Sequence, residues 1–185
     1  MGLFILGGIA LIGILGVTGY NNLIRRRNRV DQAYSTIEVQ LTQRYDLIPK
    51  LVETVKQYMG HERSLLEDIT RLRTRAMQST SPAAKIQADN ELSRALGQLN
   101  VSFENYPQLR ASENFVQLQR SLNEVEEQLA AARRSYNGSV IDYNNAVQTF
   151  PSSVIAGSMG FGTRQVFVAD EKKRGDVDMR GLFKA

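Results

Sequence analysis

The first 24 residues carry no charged side chain, and four arginines follow them at once. The run GLFILGGIALIGILGVTG is almost wholly apolar or glycine. At 1.5 Å per residue, about 20 helical residues cover about 30 Å, the hydrocarbon thickness of a bilayer. Tyr20 precedes Arg25, Arg26, Arg27 and Arg29, where an aromatic ring at headgroup level is expected. A signal peptide normally has a basic leader, a short apolar core and a small-residue cleavage site. Here nothing basic precedes the run except the amino terminus, and the run is long, so residues 1–24 are expected to be a retained transmembrane helix. Arginines behind the span set the C-terminal body in the cytoplasm and the N-terminus outside, a single pass in the cell (inner) membrane. The four arginines suit anionic headgroups, each contributing about 1 kcal/mol near the surface. Gly13, Gly16 and Gly19 recur every third residue, near one face of the span. Small residues let two membrane helices approach closely, so this face is a candidate for self-association.

Beyond the span the pattern is helical. Val30, Tyr34, Ile37, Leu41, Arg44, Ile48, Leu51, Val55 and Tyr58 alternate steps of four and three. That seam predicts a long helix with one buried face. Pro49 removes a backbone bond and is expected to kink it near Tyr45, and Gly60 is a plausible stop. A run straight through Gly60 remains an alternative, because glycine costs only about 1 kcal/mol in a helix. A second seam runs Phe115, Leu118, Leu122, Val125, Leu129, Ala132, Tyr136, Ser139, Tyr143, Ala146 and Phe150 and halts at Pro151. Between the seams, Leu65, Ile69, Leu72 and Ala76 mark a helix over about 62–78. Ala88, Leu92, Ala95, Leu99 and Phe103 mark another over about 82–104, opened by a Ser81 cap and Pro82. Asn105-Tyr106-Pro107 separates it from the last long helix. Four helices with one apolar stripe each must pack together. Residues 25–150 therefore read as an antiparallel four-helix bundle in an all-α chain. Residues 151–185 form a tail, partly ordered and then charged and flexible from Asp170. Its apolar half is expected to dock on protein, since it lacks a basic amphipathic face. Only Gln165-Val166-Phe167-Val168 resembles a strand.

The chemistry-bearing residues are few. The 185 residues include no cysteine and one histidine, which removes disulfides, Cys-ligated metals and His pairs. His61-Glu62 is a poor dyad, because consecutive helical side chains point apart, and no second histidine completes a zinc-protease motif. No nucleophile elbow, phosphate loop or dinucleotide fingerprint is present. Glu124, Glu126 and Glu127 lack the Glu-x-x-His companion of bundle metal sites and read as a solvated face. No catalytic residue, cofactor or metal is expected. Arg44 within an apolar seam must be paired, to Asp46, to Glu38 or to an acid on another helix. Asn137 and Asn144 follow Tyr136 and Tyr143 one heptad apart and read as inter-helix hydrogen bonds. The net charge is +4. Beyond the four arginines, the remaining 19 Lys and Arg balance 19 Asp and Glu, so no nucleic-acid partner is expected, and nothing marks a small-molecule substrate.

Several ordered short runs carry a resemblance. They are Tyr20-Asn21-Asn22-Leu23, Arg27-Asn28-Arg29-Val30-Asp31-Gln32-Ala33, Val39-Gln40-Leu41 and Arg44-Tyr45-Asp46-Leu47-Ile48-Pro49. Leu51-Val52-Glu53-Thr54-Val55-Lys56, His61-Glu62 and Arg133-Arg134-Ser135-Tyr136-Asn137 continue the set. It closes with Tyr143-Asn144 and Phe150-Pro151-Ser152-Ser153-Val154-Ile155-Ala156. Across residues 3–161 the chain resembles the LemA family of bacterial envelope proteins. It departs at Tyr34, where the family often has Trp, at Lys50, where Asn is usual, and at Gln57, where Gly is usual. The resemblance implies an N-terminal membrane helix followed by an antiparallel helical bundle, with no cofactor and no established catalytic residue.

The reading that follows is a non-enzymatic, membrane-anchored scaffold. It is expected to form a homo-oligomer or to organise an envelope protein partner and membrane lipid, with clustering or curving of lipid as a variant. The rival is an adaptor that offers exposed apolar surface around Tyr34, Tyr45 and Tyr58 to a cytoplasmic or membrane-protease partner. A hydrolase using His61 and Glu62 is the third.

Overall fold

The computed structural model describes residues 1–167. The chain is all-helical, with no strand among the described residues. The order is α1 (Gly2–Lys56), α2 (Arg63–Gln78), α3 (Pro82–Ser102), a 3₁₀ turn (Phe103–Asn105), α4 (Pro107–Arg110), α5 (Glu113–Gln148) and α6 (Ser152–Ser158). Two units divide the chain. The first holds Met1–Lys50 with Val116–Val166, and the second holds Leu51–Phe115 with Phe167.

The apolar span and the first bundle helix are one element, because α1 runs without a break from Gly2 to Lys56. Its two stretches differ only in what covers them. In the first 18 or so residues the large side chains are exposed, Phe4, Ile9 and Leu15 among them. From Leu23 a buried stripe sets in, through Val30, Ile37, Leu41, Arg44, Tyr45 and Ile48. Pro49 lies inside the helix and does not end it. The helix does end before Gly60, so the continuous rod through that glycine does not form. Met59 is buried, and Tyr58, the expected last member of the seam, is exposed.

In the first unit α5 lies antiparallel on α1. Three pairs hold a common register: Arg44 with Glu126, Tyr34 with Tyr136 and Arg26 with Asp142. Val125, Leu129, Ala132, Tyr136, Val140 and Tyr143 are the buried positions of α5. Val140 takes the place the heptad seam gave to Ser139, which is half-buried. A straight helix at 3.6 residues per turn drifts by about 20° per heptad against a strict 3.5 repeat. Between three and four heptads into the seam, that drift is enough to move burial by one residue at this position.

The second unit gathers the end of α1, α2, α3, α4 and the start of α5. The helical pieces of the second unit are therefore short, whereas the first unit is dominated by the long stretches of α1 and α5, with α6 and the tail beside them. α2 buries Leu66, Ile69 and Ala76, and α3 buries Ala88, Leu92, Ala95 and Leu99. Fully burying an aliphatic side chain contributes about 1.5–3 kcal/mol, which explains why these short helices stay folded. Ser81 caps α3 as expected, accepting from the Ala84 amide at 3.2 Å. Arg75 bonds Glu91 across the α2–α3 hairpin at 2.8 Å. Phe103 meets Phe115 edge to face, ring centroids 4.8 Å apart.

Candidate membrane-proximal site

The boundary between exposed span and buried seam falls at Gly19 to Leu23, and the tail comes back to this level. Ile155 of α6 sits over Gly19 so closely that a Cβ there would collide with its Cδ1. Tyr20 stacks on Phe161 at 5.8 Å, edge to face. The Arg27 guanidinium lies over the same Phe161 ring, 5.6 Å from its centroid, a cation–π geometry. Gly19 is thus occupied within the chain, and its small size serves α6. Around Gly13 and Gly16 nothing lies within 4 Å of an added Cβ, so these two keep an open face.

The four arginines divide by environment. Arg26 donates to the Asp142 carboxylate and, at 3.3 Å, to the Asp142 carbonyl, with Asn22 Oδ1 at 3.1 Å from its Nε. Arg27 is turned to Phe161. Arg25 and Arg29 are exposed. A pattern of four basic residues cannot reveal this split, because it depends on which face of α1 receives α5 and the tail.

The tail beyond α6 is a strap on α5. Tyr143 donates its hydroxyl to the Gly162 carbonyl and Tyr136 to the Gln165 carbonyl, both at 3.0 Å. Asn144 mimics a strand edge: its Nδ2 donates to the Arg164 carbonyl and its Oδ1 accepts from the Arg164 amide, both at 2.8 Å. Arg164 reaches Asp31 on α1 at 3.5 Å. These bonds correct two expectations. Residues 165–167 are not a strand, and the Gln165 carbonyl accepts from the Tyr136 side chain; Val168 lies outside the described residues, as does the charged segment from Asp170. Asn144 binds the strap and not another helix. Asn137 is half-buried one heptad earlier.

Tyr34 and Tyr136 face each other at 5.9 Å under this strap. Burial pushes the Tyr34 phenol up to about 12, with Glu38 and Tyr136 acting the same way. Burial also raises Tyr136; Asp31 adds to the rise, and the Arg164 guanidinium opposes it. Tyr45 is buried and only Tyr58 is exposed. Of the three tyrosines expected to mark an exposed apolar surface, Tyr34 is half-buried against Tyr136 and Tyr45 is buried.

Arg44 is 5% exposed, and its Nη2 lies 3.2 Å from Glu126 Oε2 on α5. Glu126 is an acid on another helix, one of the kinds of partner open to it. Glu126 makes this contact while staying exposed, as do Glu124 and Glu127. Asp89, fully buried on α3, lay outside the sequence-based expectations, since its neighbours Ala88 and Leu92 mark the same stripe without it.

His61 is exposed in the α1–α2 link beside a half-buried Glu62. Among the described residues no group of three or more His, Cys, Asp or Glu is placed to hold a metal ion. A shallow recess of about 320 Å³ in the second unit is lined by Tyr58, Tyr106 and Gln108 among others, side chains that offer no nucleophile paired to a base.

Fold and site together define a class: an all-helical chain whose first helix carries an exposed apolar stretch long enough to cross a membrane and continues into a buried helical seam. The LemA family model matches residues 33–180, and the chain belongs to that family. Protein LemA of Metamycoplasma hominis is 29% identical over 97% of this chain and 84% of its own length. Magnetosome protein MamQ 2 of Paramagnetospirillum magneticum is 23% identical over 94% of this chain and 72% of its own. Magnetosome protein MamQ of Magnetospirillum gryphiswaldense is 31% identical over 51% of this chain and 34% of its own. None of these names is the name of an enzyme.

Proposed function

We propose that the protein is a non-catalytic scaffold, anchored by the first 24 residues, that assembles with itself and organises lipid or envelope partners. The observation that carries this reading is the continuity of α1. One helix joins an apolar stretch with no protein around it to a seam with no lipid-facing need, so anything that orders the spans orders the bodies. The open faces at Gly13 and Gly16 suit close approach of spans, where packing drives association in lipid. The arginines behind the span favour a single pass in the inner membrane with the body in the cytoplasm.

Cross-linking and mass measurement of the full chain in mild detergent test the assembly. A multimer is expected, and a strict monomer at every concentration overturns the reading. Topology has a separate test, since the chain has no cysteine. A single Val101→Cys label site is expected to stay unmodified by a membrane-impermeant maleimide until cells are permeabilised.

A further inference from the structure

We infer that residues 150–159 form a second membrane contact, a short foot lying in the headgroup–acyl boundary beside the span. The inference rests on the anchored reading of α1 and adds an interaction surface to it.

Depth comes first. Gly19 and Tyr20 lie inside the uncharged run, about 7 Å short of its end at Ile24 by the helical rise. Ile155 packs on Gly19 and Phe161 on Tyr20, so α6 and the start of the strap share that depth. The α1–α5 register agrees independently. Carried forward from the Arg26–Asp142 pair, it sets the last turn of α5 opposite Tyr20 to Asn22. Phe150 follows two residues later.

Exposure comes second. α6 has one side docked, through Ile155 and a buried Ala156. Its other side and flanks leave Phe150 at 83%, Val154 at 65% and Met159 at 62% exposure. These are three large exposed apolar side chains within ten residues, in a segment that packs on α1 where its exposed apolar stretch ends. Amphipathic segments in the interface bury their apolar side about 5–10 Å into the headgroup–acyl boundary, which matches the depth given by Gly19. The occupant of this face is lipid.

The test uses the absence of tryptophan from the chain. Single variants Phe150→Trp, Val154→Trp and Met159→Trp are made in the full protein and reconstituted in phosphatidylcholine–phosphatidylglycerol vesicles. Lipids brominated near the headgroup end of the acyl chain serve as quenchers. Val17→Trp reports the span and Val39→Trp the exposed body, and far-UV circular dichroism checks that each variant is folded. Quenching at 150, 154 or 159 is expected to exceed that at 39 by about twofold or more, with a blue-shifted emission. Quenching at 17 with the three foot positions matching 39 overturns the foot and leaves the anchor standing. Blue-shifted emission at the foot without lipid quenching also overturns it, because a second copy then covers the face. Loss of quenching at 17 removes the anchored reading itself.

Discussion

Arg44 and Glu126 illustrate how much a single position depends on its partner. A guanidinium at 6% side-chain exposure faces a carboxylate at 49%, so the pair is half in and half out of water. Breaking a fully buried pair costs about 3–5 kcal/mol because a charge is left stranded. With one partner half exposed, Glu126→Gln is expected to cost about 1–2 kcal/mol, and Arg44→Met less, since it removes the buried charge outright. Thermal unfolding of both variants in the same detergent checks that order. Tyr34 and Tyr136 belong to the same scale. Their phenols are raised, Tyr34 to about 12 from an ordinary 10.0, so folding favours the neutral form. That contribution is complete below pH 10 and is lost as pH rises through about 12. Absorbance titration is expected to show two of the seven tyrosines ionising late, and Tyr34→Phe to remove one of them. The arginine's need for a partner was legible from a charge in an apolar seam. That Glu126 is among its partners was not, because the meeting of these two side chains depends on the register of α5.

At the scale of elements, the longer helices were legible in the sequence, whereas the short α4 and α6 were not. Ser81 with Pro82, the Asn105-Tyr106-Pro107 break and Gly60 all fall where helices stop or start. These signals are local, acting through backbone hydrogen bonds within a turn, and no tertiary contact is needed to read them. The strap is the opposite case. Residues 161–167 have no regular hydrogen-bond pattern of their own and are held by Tyr136, Tyr143 and Asn144. Asn144→Ala removes both bonds to Arg164. Amide exchange over 162–166 is expected to speed by about tenfold, equivalent to about 1–2 kcal/mol for two hydrogen bonds, with little change in global unfolding. Asn144→Asp keeps the acceptor for the Arg164 amide and is expected to fall between.

At the scale of the whole molecule, the glycines of the span separate folding from assembly. Gly16→Ile places bulk on an open face and is expected to lower the mass measured in mild detergent. Gly19→Ala meets only the flexible end of Ile155 and is expected to loosen α6 while leaving the mass unchanged. A stripe of Gly13, Gly16 and Gly19 reads as a single face in the sequence; the structure divides it because α6 returns to one end. The membrane-length apolar run and the helical periods were determined by the sequence alone, since they rest on hydropathy and spacing along the chain. Burial at Val140, the ion pair of Arg44 with Glu126, the split among the four arginines and the return of the tail to Gly19 were decided by tertiary structure. Each depends on which face of one helix meets another element more than 70 residues away or on drift accumulated over several turns, and neither is encoded in any local stretch of residues.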